Sequence, residues 1–62
     1  MRISKTKTYK TRNKAGKLVS MFFEQPVQKW IVGVQGTNEW YSYQNPNNAL
    51  LKFKELENSD IV

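Results

Sequence analysis

The stretch VQKWIVGVQGTNEWYSY, residues 27 to 43, is rich in β-branched and aromatic residues on both sides of a polar turn, QGTN. Residues of these types are typical of β-strands, and a short turn containing Gly joins two such strands into a hairpin. Val34 faces Glu39 whether the loop has two or four residues. We therefore predict one strand at residues 27 to 34 and the next at residues 39 to 43.

This pairing register separates the two faces of the hairpin. On one face Trp40 is opposite Gly33, where an aromatic ring can cover the bare backbone of a cross-strand glycine. Ile31 and Ser42 share that face. The other face is apolar enough to be the core, and it carries Trp30, Val32, Val34, Tyr41 and Tyr43.

A helix is predicted at residues 46 to 58. Asn45 is a good N-cap, and Pro46 suits the first helical position because its fixed φ is already helical. Apolar residues then recur at spacings of three and four, which places them on one stripe of the helix. We expect that stripe to lie across the Trp30 face, and it consists of Ala49, Leu50, Phe53 and Leu56.

The N-terminal part predicts a second hairpin, residues 2 to 24. Residues 2 to 12 are rich in Thr, with Ile and Tyr, which favours an extended strand. NKAG at residues 13 to 16 is a turn in which Gly allows a positive φ, and a further strand follows until Pro26 interrupts the ladder. The tip of this hairpin is basic, with Arg12, Lys14 and Lys17.

Together these elements predict one α+β domain over residues 1 to 62. Its order is β-β-β-β-α, with a small antiparallel sheet of three to four strands backed by one C-terminal helix. The chain is short and has no Cys, so no disulfide or thiolate-bound metal can stabilise it. Its stability must come from packing, from a partner or from a second copy.

Charge is divided unevenly along the chain. Residues 1 to 23 contain seven Lys or Arg and no acid, which gives this segment a charge of +7. Residues 24 to 62 contain three Lys and five acids, which gives −2, so the net charge of the chain is +5. An unbalanced basic segment indicates a surface that faces a polyanion. The alternative is a basic strand edge that prevents edge-to-edge pairing, a known role of Lys.

Catalysis is not expected. The chain has no His and no Cys, which removes the commonest general base and the strongest thiol nucleophile. The five carboxylates are too scattered to predict a metal site, the three glycines form no phosphate loop, and no cofactor is implied. No apolar run approaches the roughly 20 residues of a membrane span, and the N-terminus has no signal-peptide pattern, so a cytoplasmic protein is expected.

The aromatic residues allow two interpretations. Trp40 and Tyr9 could stack on nucleic-acid bases, or Trp40 could shield Gly33 while Tyr9 packs at the base of the hairpin. A chain of this size needs its aromatics in the core, which favours the second interpretation. Phe22 and Phe23 point to opposite faces of the sheet. The face of the sheet that the helix does not cover is therefore either covered by a homodimer partner, or exposed and able to bind a ligand.

Residues 29 to 57, KWIVGVQGTNEWYSYQNPNNALLKFKELE, resemble the arm-site-binding N-terminal domain of phage and transposon tyrosine integrases, and are similar to the plant ethylene-response-factor domain. The resemblance implies a sheet that lies in the DNA major groove and is backed by one helix. The residues that match the packing positions of that family are Trp30, Tyr43, Ala49 and Phe53. By the same resemblance the residues facing DNA would be Lys29, Ile31, Trp40 and Ser42. The N-terminal hairpin is longer and richer in Lys than the first strand usual in that family.

Our first hypothesis is a small non-enzymatic nucleic-acid-binding protein, encoded by a phage or mobile element, with DNA favoured over RNA. The second is a phage-type interaction module that inhibits a host enzyme or defence complex by presenting its basic face to an acidic protein. The third is an obligate homodimer without a ligand. For the first hypothesis the predicted nucleic-acid contacts are Arg2, Lys5, Lys7, Lys10, Arg12, Lys14, Lys17, Lys29 and Trp40.

Overall fold

A computed structural model describes residues 3–62 of the protein. Its elements are β1 (Tyr9–Arg12), β2 (Leu18–Glu24), β3 (Lys29–Val34), β4 (Trp40–Tyr43) and α1 (Pro46–Glu57). The strands form one four-stranded antiparallel sheet in the order β1-β2-β3-β4, so each strand pairs with its neighbour in sequence. The predicted α+β arrangement, β-β-β-β-α, is confirmed.

The register predicted for the second hairpin is also confirmed. Trp30 pairs with Tyr43 and Gly33 pairs with Trp40. β3 begins two residues later than predicted, at Lys29, because residues 25 to 28 form the turn that joins it to β2. In that turn Gln28 N–H donates to the Gln25 carbonyl at 3.1 Å, and Gln28 has a φ of +50°.

The core lies between the sheet and α1. Met21 and Trp30 are its largest fully buried side chains from the sheet, and Ala49 and Leu56 come from the helix. Leu50 and Phe53 pack against this cluster at its margin. The predicted apolar stripe of the helix is therefore confirmed. The residues of the buried cluster are Val19, Met21, Trp30, Val32, Val34, Ala49 and Leu56.

Both ends of α1 are capped by asparagine. The Asn45 side chain accepts a hydrogen bond from Asn47 N–H at 2.8 Å, and Pro46 is the first helical residue, as predicted. The helix ends at Glu57, one residue before the predicted end, and Asn58 is its C-cap. The cap stops the helix where the chain turns back toward the β1–β2 hairpin.

The first strand is much shorter than predicted. Within the described residues it begins at Tyr9, whereas residues 3 to 8 form a loop. In that loop Ser4 N–H donates to the Tyr9 hydroxyl at 2.7 Å, and Thr6 N–H donates to the Ser4 hydroxyl at 3.2 Å. Such local bonds from Ser and Thr compete with a strand ladder, which explains why a Thr-rich sequence does not extend the sheet here.

Asn13 connects the β1–β2 turn to the C-terminal tail, residues 58 to 62. Its Oδ1 accepts from the N–H groups of Ala15 at 3.0 Å and Lys17 at 2.9 Å, while its Nδ2 donates to the Ile61 carbonyl at 2.7 Å. Asn13 is 6% exposed. Gly16 has the predicted positive φ, +84°. A buried and fully bonded amide therefore fixes both the turn and the tail.

Candidate nucleic-acid interface

The sheet has a helix face, packed against α1, and an open face on the other side. Strand alternation and the three pairing registers assign each residue to one of them. Lys10, Ser20, Gly33 and Trp40 form one row across all four strands of the open face. The open face consists of Lys10, Arg12, Leu18, Ser20, Phe22, Glu24, Lys29, Ile31, Gly33, Trp40 and Ser42.

The helix, the N-terminal segment and the C-terminal tail pack on the helix face. α1 contacts β2, β3 and β4 there. Ile3 from the N-terminal segment and Ile61 from the C-terminal tail pack against the same buried cluster. Lys5 Nζ lies 4.8 Å from the ring centroid of Phe23, another helix-face residue. Within residues 3–62 none of these segments crosses the open face, where Ser20 is buried and its hydroxyl accepts from the Gln35 side chain at 3.4 Å.

Trp40 occupies the space that a side chain at Gly33 would need. A Cβ built on Gly33 would overlap Cδ2 and Cε3 of the Trp40 ring, and it would lie 2.6 Å from the Glu39 carbonyl oxygen. The predicted covering of Gly33 by Trp40 is therefore confirmed. Trp40 remains 37% exposed, so part of the indole is available on the open face.

The centre of the open face is apolar. Phe22 lies directly opposite Ile31, and Leu18 lies on the same face of β2, two residues before Ser20. All three apolar side chains are half-buried. Phe22 was predicted only to lie on the second face, and Leu18 was not singled out. The β2–β3 register is the signal that groups them, and it depends on the length of the turn at residues 25 to 28.

Positive charge dominates the open face. Lys10, Arg12 and Lys29 are exposed on it, and Glu24 is the one of the five carboxylates that shares it. Among residues 3–62 the structure shows a single ion pair, Lys52 with Glu55 on the helix at 3.1 Å. None of the open-face cations belongs to that ion pair, although Glu24 lies directly opposite Lys29 in the β2–β3 pairing.

The other carboxylates are engaged or located elsewhere. Glu57 accepts a hydrogen bond from the Thr11 hydroxyl at 2.6 Å, which joins the helix to the helix face of β1. Glu39 accepts from the hydroxyl of Tyr41 on the same face. Asp60 belongs to the C-terminal tail. The fold thus places most of the carboxylates away from the open face, so the uneven charge along the sequence becomes a difference in charge between the two faces of the sheet.

The structure brings together only part of the predicted contact set. Lys10, Arg12, Lys29 and Trp40 share the open face, and the resemblance-based residues Ile31 and Ser42 lie there too. Lys14 and Lys17 are exposed in the adjoining β1–β2 turn, where the Arg12 guanidinium also donates to the Gly16 carbonyl at 2.8 Å.

Two predicted contacts lie apart from this group, because Lys5 and Lys7 belong to the loop before β1 and not to a hairpin strand. Arg2 lies outside the described residues. Tyr9 is half-buried on the helix face, and its hydroxyl is bonded to the backbone of Ser4, so it packs at the hairpin base and is not presented for stacking.

The shifted pKa values belong to the helix side of the molecule. The hydrogen bond from Tyr41 to Glu39 raises the pKa of the Tyr41 phenol above its usual value. The hydrogen bond with Glu55 raises the pKa of Lys52, whose ammonium also lies 4.3 Å from the Tyr41 ring centroid. These groups stabilise the packing of α1 and do not contribute to the open face.

Over residues 3–62 the structure contains no pocket and no cluster of three or more potential metal ligands. Its 12-residue helix is not long and apolar enough to cross a membrane. Comparison of the chain with protein-family models, curated proteins and solved structures finds no match. The description of the open face therefore depends on the chain's own residues.

Proposed function

We propose that the protein is a non-enzymatic nucleic-acid-binding protein that contacts its ligand with the open face. The observation that carries this proposal is the separation of charge between the two faces. Lys10, Arg12 and Lys29 share one face with Trp40, while most of the carboxylates are on the helix, in the tail or bonded on the helix face. Such a protein would act in the cytoplasm.

Phosphate neutralisation would supply much of the affinity. Each Lys or Arg that contacts a phosphate releases condensed counterions, which favours binding without regard to sequence. Lys14 and Lys17 extend the positive surface from the open face to the β1–β2 turn. Lys5 and Lys7, in the loop before β1, would add to the potential that attracts a polyanion, and Arg2 remains a predicted contact.

A matched pair of charge-removing variants tests the role of the open face. Lys10→Gln removes a cation from the open face, and Lys54→Gln removes an exposed cation from α1 on the opposite side. Both lower the net charge by one, so any general effect of charge is common to them. Binding of labelled DNA and RNA would be measured over a series of salt concentrations by fluorescence anisotropy.

We expect Lys10→Gln to weaken binding and to reduce the magnitude of the log–log salt slope by about 0.9 on duplex DNA or about 0.7 on a single strand. Lys54→Gln should leave the slope unchanged. Equal effects of the two variants would show that the open face is not the contact surface. Binding that does not respond to salt would refute the proposal as a whole.

The apolar centre of the open face favours a second candidate. Phe22 and Ile31 would be desolvated by a protein partner, and the surrounding cations would suit a partner with an acidic surface. This candidate is the inhibitor-like interaction module. The variant Phe22→Ser distinguishes this candidate from the nucleic-acid-binding proposal. It should abolish capture of an acidic protein partner, while the salt dependence of nucleic-acid binding stays unchanged.

A further inference from the structure

Trp40 differs from the other tryptophan in its surroundings. Trp30 is 2% exposed and packs edge-on against Phe23, with ring centroids 5.2 Å apart, so it belongs to the core. Trp40 is 37% exposed on the open face and rests over Gly33, whose lack of a side chain lets the indole lie against the backbone. An aromatic ring held against a sheet and open to solvent resembles the stacking platforms of single-strand-binding proteins.

The positive charges are placed at a distance from Trp40 that suits a nucleic-acid backbone. Lys10 lies in the same row but three strand spacings away, about 14 Å at the usual separation of strands. Lys29 is on the neighbouring strand, four residues from Gly33, about 13 Å along β3. A base on Trp40 would therefore have phosphates on either side within reach of a cation.

The breadth of the sheet disfavours a duplex as the ligand. The major groove of B-DNA is about 12 Å wide and admits a helix or a two-stranded ribbon. The open face spans four strands, about 14 Å between the outer strand axes before side chains are added. In a duplex, moreover, the faces of the bases are stacked on one another and are not available to Trp40.

We propose that Trp40 stacks on an unpaired base, so that the ligand of the open face is single-stranded DNA or RNA. This inference rests on the proposed nucleic-acid-binding function and specifies the class of its ligand. The apolar row of Phe22 and Ile31 extends the surface beside Trp40, where a neighbouring base would be partly desolvated. Lys10, Arg12 and Lys29 would contact the phosphates.

The test uses the whole protein and three probes: labelled oligo(dT), oligo(U) and a self-complementary DNA hairpin. Tryptophan emission and anisotropy of the label are recorded in the same titration at low salt. Because Trp30 is buried, quenching on binding reports on Trp40. Trp40→Leu removes the aromatic ring while keeping an apolar side chain over Gly33. Leu51→Ala, at a 68% exposed site on α1, is the control.

We expect the single strands to quench tryptophan emission and to bind more tightly than the hairpin. Trp40→Leu should weaken single-strand binding about 5- to 150-fold and eliminate the quenching, while Leu51→Ala should change neither. The quenching in the unmodified protein requires no variant, so it tests stacking even if Trp40→Leu folds poorly. Preference between oligo(dT) and oligo(U) would show which of these two single strands is favoured.

Two negative outcomes are distinguishable. Salt-sensitive binding of the hairpin that equals or exceeds single-strand binding, without quenching, would overturn stacking on Trp40 and leave the proposed function intact. No binding of any probe at low salt would overturn the proposed function and the stacking inference with it.

Discussion

Replacement of Asn13 by Ala should destabilise the protein more than any exposed substitution in a turn. The variant removes three hydrogen bonds at once: two accepted from the β1–β2 turn and one donated to Ile61. All three bonds are partly buried, although Ala15 and Lys17 are themselves exposed residues. The groups left behind would lose a partner without regaining full hydration.

The expected loss follows from these contacts. A hydrogen bond contributes about 1 kcal/mol net, and a buried group left unsatisfied costs about 1–3 kcal/mol. For Asn13→Ala we therefore expect the free energy of unfolding to fall by about 2–3 kcal/mol. A 62-residue domain has a total of about 3–9 kcal/mol at the usual stability per residue. The substitution should thus remove a large share of the stability.

Urea denaturation followed by tryptophan emission measures this loss, since Trp30 is buried in the folded protein. Asn38→Ala is the matched control because Asn38 is exposed in the β3–β4 turn and only its backbone carbonyl, bonded to Trp40 N–H, is used there. Asn13→Asp keeps the acceptor for the turn and removes the donor to Ile61, so it should cost about 1–2 kcal/mol.

The three variants should therefore rank in the order Asn38→Ala, Asn13→Asp and Asn13→Ala, from least to most destabilised. If Asn13→Ala proves as stable as Asn38→Ala, the hydrogen bonds that link the turn to the tail contribute nothing to the free energy of unfolding. If Asn13→Asp costs as much as Asn13→Ala, the tail bond alone carries the effect and the turn bonds are replaced by water.

Three further predictions concern single positions. Gly33→Ala should lower the free energy of unfolding in denaturation by about 1–3 kcal/mol, because the new Cβ would overlap the Trp40 ring and crowd the Glu39 carbonyl. Ala is ordinarily preferred to Gly in a strand, so equal or higher stability of the variant would contradict this overlap. Gln28→Gly should leave the denaturation midpoint unchanged or raise it, since Gln28 has a φ of +50°, and a clear fall in the midpoint would count against strain there. In an absorbance titration the Tyr41 phenol should ionise above its usual pKa, and Tyr41→Phe should remove that step. Because the pKa of Tyr41 is higher in the folded than in the unfolded protein, its contribution to stability is full below the unfolded pKa and is lost as the pH rises through the folded pKa.

The parts of the fold that were predictable are those with strong local signals. The β3–β4 register follows from a short turn between two runs of β-branched and aromatic residues, and α1 follows from Asn45, Pro46 and an apolar stripe. The first strand was overextended because strand propensity alone does not reveal the bonds that Ser4 makes within the loop. The bond from Ser4 N–H also depends on Tyr9, which packs against the core and supplies the acceptor hydroxyl.

The candidate site was predictable in part for a similar reason. Ile31 and Trp40 were assigned to one face because they lie on the hairpin whose register could be derived, and Lys29 was added to them through the resemblance. Lys10 joins them only through β2, whose register with β3 depends on a turn with a positive φ at Gln28. No sequence pattern at residues 25 to 28 specified that turn, so the apolar row of Phe22 was not grouped with the cations.

The order of the strands has a consequence for how the chain reaches its fold. Every strand pairs with its immediate neighbour in sequence, so both hairpins and the β2–β3 pairing can form from local contacts, and such topologies fold quickly. The bonds from Asn13 to Ile61 and from Thr11 to Glu57 are different, because they join positions 48 and 46 residues apart. During synthesis the basic hairpin would therefore be exposed first and become fixed only when residues 57 to 61 have left the ribosome.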